Sequence, residues 1–194
     1  VKNGSVDAGY TTPGYHAGKI PAVSYFTAVP FGPGASEYHG WMEYGGGQQL
    51  KDRIYGEYGL KALNCLTHAP ETSGWFRKKI NNVEELKGMK MRFFGLGAMV
   101  MSKLGVSTQL LAGGDIYPAL EKGVIDATEF SMPTHDLSYG FYQLAKFNYF
   151  PGWHQQTSIG ELLMSTKGWG GLTKTQQGII NTACRDTMWW ALVR

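Results

Sequence analysis

The chain has 194 residues, 43% of them hydrophobic and 13% aromatic, which suits one large domain or two small ones with a real core and argues against disorder. Only 17% are charged and the net charge of +3 is not gathered on one face: the densest basic stretch, Arg77-Lys78-Lys79, is followed by Glu84 and Glu85, which argues against a nucleic-acid partner. No apolar run reaches the roughly 18 residues of a membrane-spanning helix, and the 27 glycines mark tight turns and close backbone approaches.

The start, Val1-Lys2-Asn3-Gly4, reads as mid-domain sequence without a signal peptide, and the end, Trp189 to Arg194, stops inside an apolar helical pattern. The chain is therefore expected to be cut at both ends, so location is not legible from its termini. Val23 to Val29 reads as a buried strand ended by Pro30, and Pro30-Phe31-Gly32-Pro33-Gly34 as a stiffened loop. A helical pattern runs from about Ala35 to Tyr58, interrupted by Gly45-Gly46-Gly47, and Leu60 to Leu66 is a short apolar strand. Asn82 with Glu85 opens a short helix that Gly88 stops. Met89 to Phe94 is strand-like, Leu96 to Leu104 helical, Asp115 caps a further helix ended by Gly123, and Val124 to Phe130 is a strand.

That β-α-β-α-β order predicts a mainly parallel α/β sheet with right-handed crossovers. Phe147 to Phe150 and Ile159 to Met164 are later strands, and Thr173 with Gln176 boxes the start of a helix carrying Ile180, Cys184 and Met188 on one face. The apolar strands near 60–66 and 157–164 flank the middle unit. If both cross between the same two bodies, the fold is two-lobed α/β, like a periplasmic binding protein with hinge strands. The first lobe would hold 1–65 and 157–194, the second 66–156, with the N-terminal lobe incomplete.

Arg92 lies in Met89-Lys90-Met91-Arg92-Phe93-Phe94, near the C-terminal end of a strand, where open α/β sheets bind ligands. Its planar guanidinium matches a carboxylate with two parallel hydrogen bonds. On spacing alone, a surface arginine on an exposed strand face is the simpler reading. Glu129 ends an apolar strand, and a carboxylate there needs a metal, an arginine or hydrogen-bond donors. Glu71, on the turn Pro70-Glu71-Thr72-Ser73-Gly74, could join it around a hard cation, although the residues alone favour a solvated loop acid.

Other motifs are weak. Gly95-x-Gly97 has Val100 where a dinucleotide fingerprint needs its third glycine. Ser131, His135 and Asp136 have the residue types of a hydrolase triad but no nucleophile elbow, and His135 and Asp136 are expected to face solvent. The histidines show no zinc-enzyme spacing. Cys65 and Cys184 show no metal or redox spacing and read as two buried free thiols.

Three stretches carry a recognisable pattern: Gly74-Trp75-Phe76-Arg77-Lys78, then Leu86-Lys87-Gly88-Met89-Lys90-Met91-Arg92, then the long run from Ala112-Gly113-Gly114-Asp115 to Val124-Ile125-Asp126-Ala127. With Pro30-Phe31-Gly32 and Tyr149-Phe150-Pro151-Gly152-Trp153, they resemble the DctP-type solute-binding proteins of TRAP transporters, most of all the 2-oxo acid and monocarboxylate binders. The resemblance spans nearly the whole chain.

It implies a periplasmic receptor that captures a small 2-oxo or 2-hydroxy monocarboxylate, without enzymatic turnover, and hands it to TRAP membrane permease subunits. A homodimer of the full-length protein is a candidate assembly. Arg92 falls on the arginine that pairs with the substrate carboxylate, and Tyr15 on a tyrosine that closes on the ligand. Glu129 and Phe130 fall on a Glu-Trp pair that gives a carboxylate and a backbone oxygen to a bridging Na⁺ or Ca²⁺. Phe130 thus replaces a tryptophan. Glu71 stands where the family has glutamine, an added charge that favours Ca²⁺ over Na⁺. Gln155 stands where an acid is often found. Two other readings share the cleft: an enzyme of small carboxylic acids with Glu129 as general acid/base, and the ligand-sensing domain of a receptor.

Overall fold

The computed structural model describes residues 1–192. In chain order they form strand β1 (Ala8–Thr11), helices α1 (Ala35–Tyr44) and α2 (Gly47–Gly56), strands β2 (Leu60–His68), β3 (Gly74–Phe76) and β4 (Lys90–Arg92), and helix α3 (Gly95–Lys103). Strand β5 (Ser107–Gln109), helix α4 (Gly113–Glu121), strand β6 (Ala127–Thr128), helix α5 (Pro133–Ser138), strands β7 (Phe147–Tyr149) and β8 (Ser158–Ser165), and helices α6 (Thr166–Gly170) and α7 (Lys174–Leu192) follow. No helix among the described residues is long and apolar enough to cross a membrane.

These elements divide into two compact units. One holds Val1–Thr27, Pro33–Ala69 and the chain from Thr157 on; the other holds Ala28–Gly32 and Pro70–Gln156. The first unit is built on an antiparallel sheet in the order β1-β8-β2. β8 is central and buried along most of its length, which fits its apolar run Leu162-Leu163-Met164. From the sheet, Ala62 and Leu163 pack with Val23 and Tyr55 in one cluster, and Ile159 with Phe26, Tyr38 and Met42 in another. α1 starts where Glu37 reaches back to accept the Gly34 N–H at 2.7 Å, satisfying one of the donors a helix start leaves open.

α7 buries only Cys184 and Met188, one turn apart. Its start is the expected reciprocal box, in which Thr173 N–H donates to Gln176 Oε1 (2.8 Å) and Gln176 N–H to Thr173 Oγ1 (3.2 Å). The cysteines are not free thiols: Cys65 on β2 and Cys184 on α7 form a disulfide across 119 residues of sequence. Spacing motifs cannot detect a pair assembled by tertiary contact. The expected strand at Val23 to Val29 is instead a 3₁₀ turn, Pro21–Phe26, because Pro21 at its first position presets a helical φ.

The second unit carries a five-stranded sheet in the order β5-β4-β6-β3-β7. β4 runs parallel to both β5 and β6, whereas β3 pairs antiparallel with β6 and β7. The sheet is therefore mixed: β3 alone runs against the other four strands, and β3 and β7 join the edge without a helical crossover between parallel neighbours. One face packs Trp75, Ile116, Leu120, Ile125 and Phe141; the other packs Phe76, Met91, Phe93, Met101 and Val106. Both faces are covered, so β4 is buried on either side of its alternation. The expected strand from Val124 to Phe130 is only two residues long in β6. α4 begins at Gly113, with Ala112 as its cap and Asp115 inside its first turn, where a carboxylate still favours the helix dipole.

Candidate functional site

In the parallel pair β4/β6, Arg92 stands opposite Thr128. The chains therefore leave adjacent strand ends as Arg92-Phe93 and Glu129-Phe130, and Glu129 N–H donates to Arg92 O at 3.2 Å. This is the carboxyl end of parallel strands, where ligands bind in open α/β sheets. Arg92 is only 1% exposed and Glu129 fully buried, so Arg92 is not a surface residue. Its Nη1 donates to Glu129 Oε1 (2.8 Å) and to Glu129 O (2.9 Å), and its Nε to Leu111 O (3.2 Å). The guanidinium carbon lies 5.2 Å from the centre of the Phe130 ring. That ring packs against Gly113, where a Cβ would come within 2.5 Å of it, and stands edge-on to Tyr139 at 5.0 Å.

Glu71 is brought to the same place by a loop held through backbone hydrogen bonds to the segment around Gly152. Glu71 N–H donates to Gln155 O (3.3 Å), Gly152 N–H to Glu71 O (2.7 Å) and Ser73 N–H to Tyr149 O (2.6 Å). Gly152 is required there, because a Cβ would meet Glu71 O at 2.8 Å. Glu71 is 5% exposed, which overturns the solvated-acid reading of the residue alone. His154 is the member of the site that spacing missed. It is 1% exposed, with Nε2 at 3.4 Å from Glu71 Oε2 and 3.5 Å from Glu129 Oε2. Its place depends on Gly97, whose Cβ would lie 3.0 Å from that of His154. Three separate loops assemble Glu71, Glu129 and His154, so no local motif announces them. The one available signal was the adjacency of His154 to Gln155.

The charges here perturb one another. Burial pushes the Glu71 carboxyl up to about 7, against the pull of His154. Burial also raises Glu129, but Arg92, His154 and the Phe94 N–H outweigh it and hold the carboxyl below its ordinary value. Burial would lower His154, yet Glu129 and Glu71 carry it up to about 9. Asp136 is buried rather than solvated, and burial pushes it to about 7 although Trp75 Nε1 donates to its Oδ2 at 2.8 Å. His135, by contrast, is exposed as expected.

Glu71, Glu129 and His154 each offer one donor atom, all within 4.8 Å of one another. Glu129 Oε2 and both ring nitrogens of His154 are buried without a hydrogen-bond partner. Buried polar atoms in native proteins are satisfied, so these await a cation, water or ligand. The donor set fits a cation. Of the residues expected at a site, Arg92, Glu129, Phe130, Glu71 and Gln155 all lie in the second unit, and Gln155 is 2% exposed. Tyr15 lies in the first unit, on the turn Pro13–His16, and is 44% exposed.

The model of the bacterial extracellular solute-binding proteins of family 7, DctP, matches residues 1–192. A monocarboxylate 2-oxoacid-binding periplasmic protein of Nostoc sp. is 40% identical over 183 residues, 94% of this chain and 50% of that protein. Among solved structures, a TRAP transporter solute-binding protein from Bordetella bronchiseptica, with copurified calcium and picolinate, superposes with a TM-score of 0.96 at 36% identity. It is covered over 57% of its length, and this chain over 100%. A TRAP periplasmic solute-binding protein from Pseudoalteromonas atlantica, with bound sodium and pyruvate, gives 0.93 at 36% identity, covering 97% of this chain and 57% of that one. The chain thus spans about half the length of the curated relative it matches.

Proposed function

The chain belongs to family 7 of the bacterial extracellular solute-binding proteins, and from that premise we propose that the whole protein captures a small 2-oxo or 2-hydroxy monocarboxylate in the periplasm and delivers it to TRAP membrane permease subunits. In this reading Arg92 pairs with the ligand carboxylate. Glu129, Glu71, the Phe130 carbonyl and Gln155 hold a cation that bridges to the ligand, and Tyr15 is assigned to the ligand by resemblance alone. The protein binds its solute and does not turn it over.

One observation carries the reading: a fully buried Arg92–Glu129 pair whose second carboxylate oxygen is left without a hydrogen-bond partner beside Glu71 and His154. Gathering two carboxylates out of water is costly unless a cation offsets them. Glu71 carries a charge where the family has glutamine, and its N–H meets the carbonyl of Gln155, which stands where the family often has an acid.

Calorimetry of the full-length protein with pyruvate tests this, with and without chelator and Na⁺. Arg92→Ala is expected to weaken binding at least about 100-fold, roughly 2.7 kcal/mol. Unchanged affinity would remove Arg92 from the ligand, and indifference to every cation would remove the bridge.

A further inference from the structure

The first unit holds a cavity of its own, of about 390 Å³, within the range of about 300–1,000 Å³ that small-molecule sites occupy. Its walls are the side chains of Ile20, Leu60 and Leu163 and the rings of Tyr55 and Tyr58. Tyr55 Oη already donates to Glu161, so only its ring is left to the cavity. Three basic residues, Lys2, His16 and Lys19, complete the lining, and no acidic residue belongs to it. We propose that this cavity is a second binding site, distinct from the strand-end site of the second unit, and that it takes an amphiphilic monocarboxylate, one acid group on a short apolar chain.

Three observations converge on that ligand class. The charge around the cavity is one-sided. Among the described residues neither Lys2 nor Lys19 enters an ion pair, whereas Lys51 and Lys61 of the same unit each face an acid. Lys2 Nζ lies instead 5.8 Å from the centre of the Tyr58 ring, at the cavity wall.

Secondly, His16 Nε2 is buried without a hydrogen-bond partner. Buried polar atoms in native proteins are satisfied, and an imidazole N–H donates readily to a carboxylate oxygen. The Lys19 and Ile20 N–H groups both donate to His16 O at 2.9 Å. One turn therefore sets an imidazole, an ammonium and an apolar wall side by side.

Thirdly, the lining is apolar below its basic groups. An inorganic anion leaves those walls uncovered, and a neutral hydrocarbon leaves the imidazole unpartnered. A carboxylate on an apolar chain answers both. The lysine stems lie along apolar surface while their ammonium groups reach the acid.

Calorimetry of the full-length protein with octanoate, with and without saturating pyruvate, tests the site. Octanoate should bind equally well in both cases, because pyruvate is assigned to the other unit. It should bind at least about 10-fold more tightly than octanol, which lacks the charge. Each methylene added from butanoate to octanoate should strengthen binding about twofold to fourfold. The double change Lys2→Gln with Lys19→Gln, at two exposed positions, should weaken octanoate about 10-fold and leave pyruvate unaffected. In the unaltered protein the imidazole ¹⁵N signals of His16 should move on octanoate addition while those of His154 stay in place. No octanoate binding, competition with pyruvate, a flat chain-length series, octanol as tight as octanoate, or a still His16 signal each overturns the site. None of these outcomes touches the cation bridge, which pyruvate binding tests separately.

Discussion

Among the described residues each unit buries a pair between a lysine or arginine and a glutamate, and the two pairs are nearly alike in exposure and distance. In the first unit Lys51 Nζ lies 2.7 Å from Glu161 Oε2, with both side chains at 0% exposure. In the second, Arg92 Nη1 lies 2.8 Å from Glu129 Oε1, at 1% and 0%. Their surroundings differ. Around Glu161, Tyr55 Oη donates to Oε1 at 2.5 Å, and Asn64 Oδ1 accepts from Lys51 at 2.6 Å. The ammonium meets Oε2 as an ion-pair contact rather than a well-angled hydrogen bond, but the counter-charge is at contact distance. Around Glu129, one oxygen is held by Arg92 and the Phe94 N–H, and the other has no hydrogen-bond partner among the described residues, with His154 at 3.5 Å. A buried charge pair that closes on itself is structure. One that leaves polar valence over has room for a guest.

The largest effect should come from opening the closed pair. Lys51→Met leaves the Glu161 carboxylate buried without its counter-charge, which costs about 3–5 kcal/mol. Chemical denaturation of the full-length protein measures it. The double change Lys51→Met with Glu161→Leu should recover most of that loss, because a well-packed apolar pair replaces a buried ion pair at little cost. A loss under about 1 kcal/mol in the single variant would mean that the pair is not closed, and the contrast between the units would go.

The covalent link in the first unit should give a somewhat smaller effect. α7 packs on β2 around the Cys65–Cys184 bond, with Leu63 and Ile180 beside it. Replacing both cysteines by serine should destabilise the protein by about 2–4 kcal/mol, the usual range for a disulfide. Hydrogen exchange should show lost protection in α7 and β2 while β4 and β6 keep theirs. Equal loss in both units would contradict that localisation.

What the sequence could and could not announce follows the same division. Local signals were legible: the Thr173–Gln176 box, the break at the three glycines between α1 and α2, and Arg92 at a strand end. Both helices of the α1/α2 pair lie inside the expected span. Features made by distant contact were not legible. Cys65 and Cys184 meet across 119 residues. Asp136 looks solvated on a short helix until Trp75 is folded over it. β3 runs against the other four strands of its sheet. Arg92 and Glu129 were named from strand ends and resemblance, whereas His154 required the loop geometry that only Gly97 and Gly152 permit.

The smallest effect expected, and the one that separates the units most cleanly, is in their response to pH. Glu71 is raised from 4.5 to about 7 and Asp136 from 3.8 to about 7. A buried carboxyl with a raised folded-state pKa contributes stability while protonated and loses it as pH rises through that pKa. His154, raised from 6.5 to about 9, likewise contributes below 6.5 and loses its contribution as pH rises through about 9. Glu129 is lowered, so its contribution is lost only on acidification below its ordinary range. The chelated second unit should therefore weaken steadily from mildly acidic to mildly alkaline pH. In the first unit burial lowers both His39 and Lys51, and a base with a depressed pKa loses stability as pH falls. Hydrogen exchange on the chelated full-length protein at about pH 5.5 and about pH 8.5, corrected for intrinsic rates, should show β4 and β6 less protected at the higher pH and α2 and β8 no less protected. A cation added at the higher pH should restore β4 and β6, because it binds the ionised carboxylates that the alkaline state strands. If both units moved together with pH, or the cation protected them equally, the leftover valence would not belong to the second unit alone.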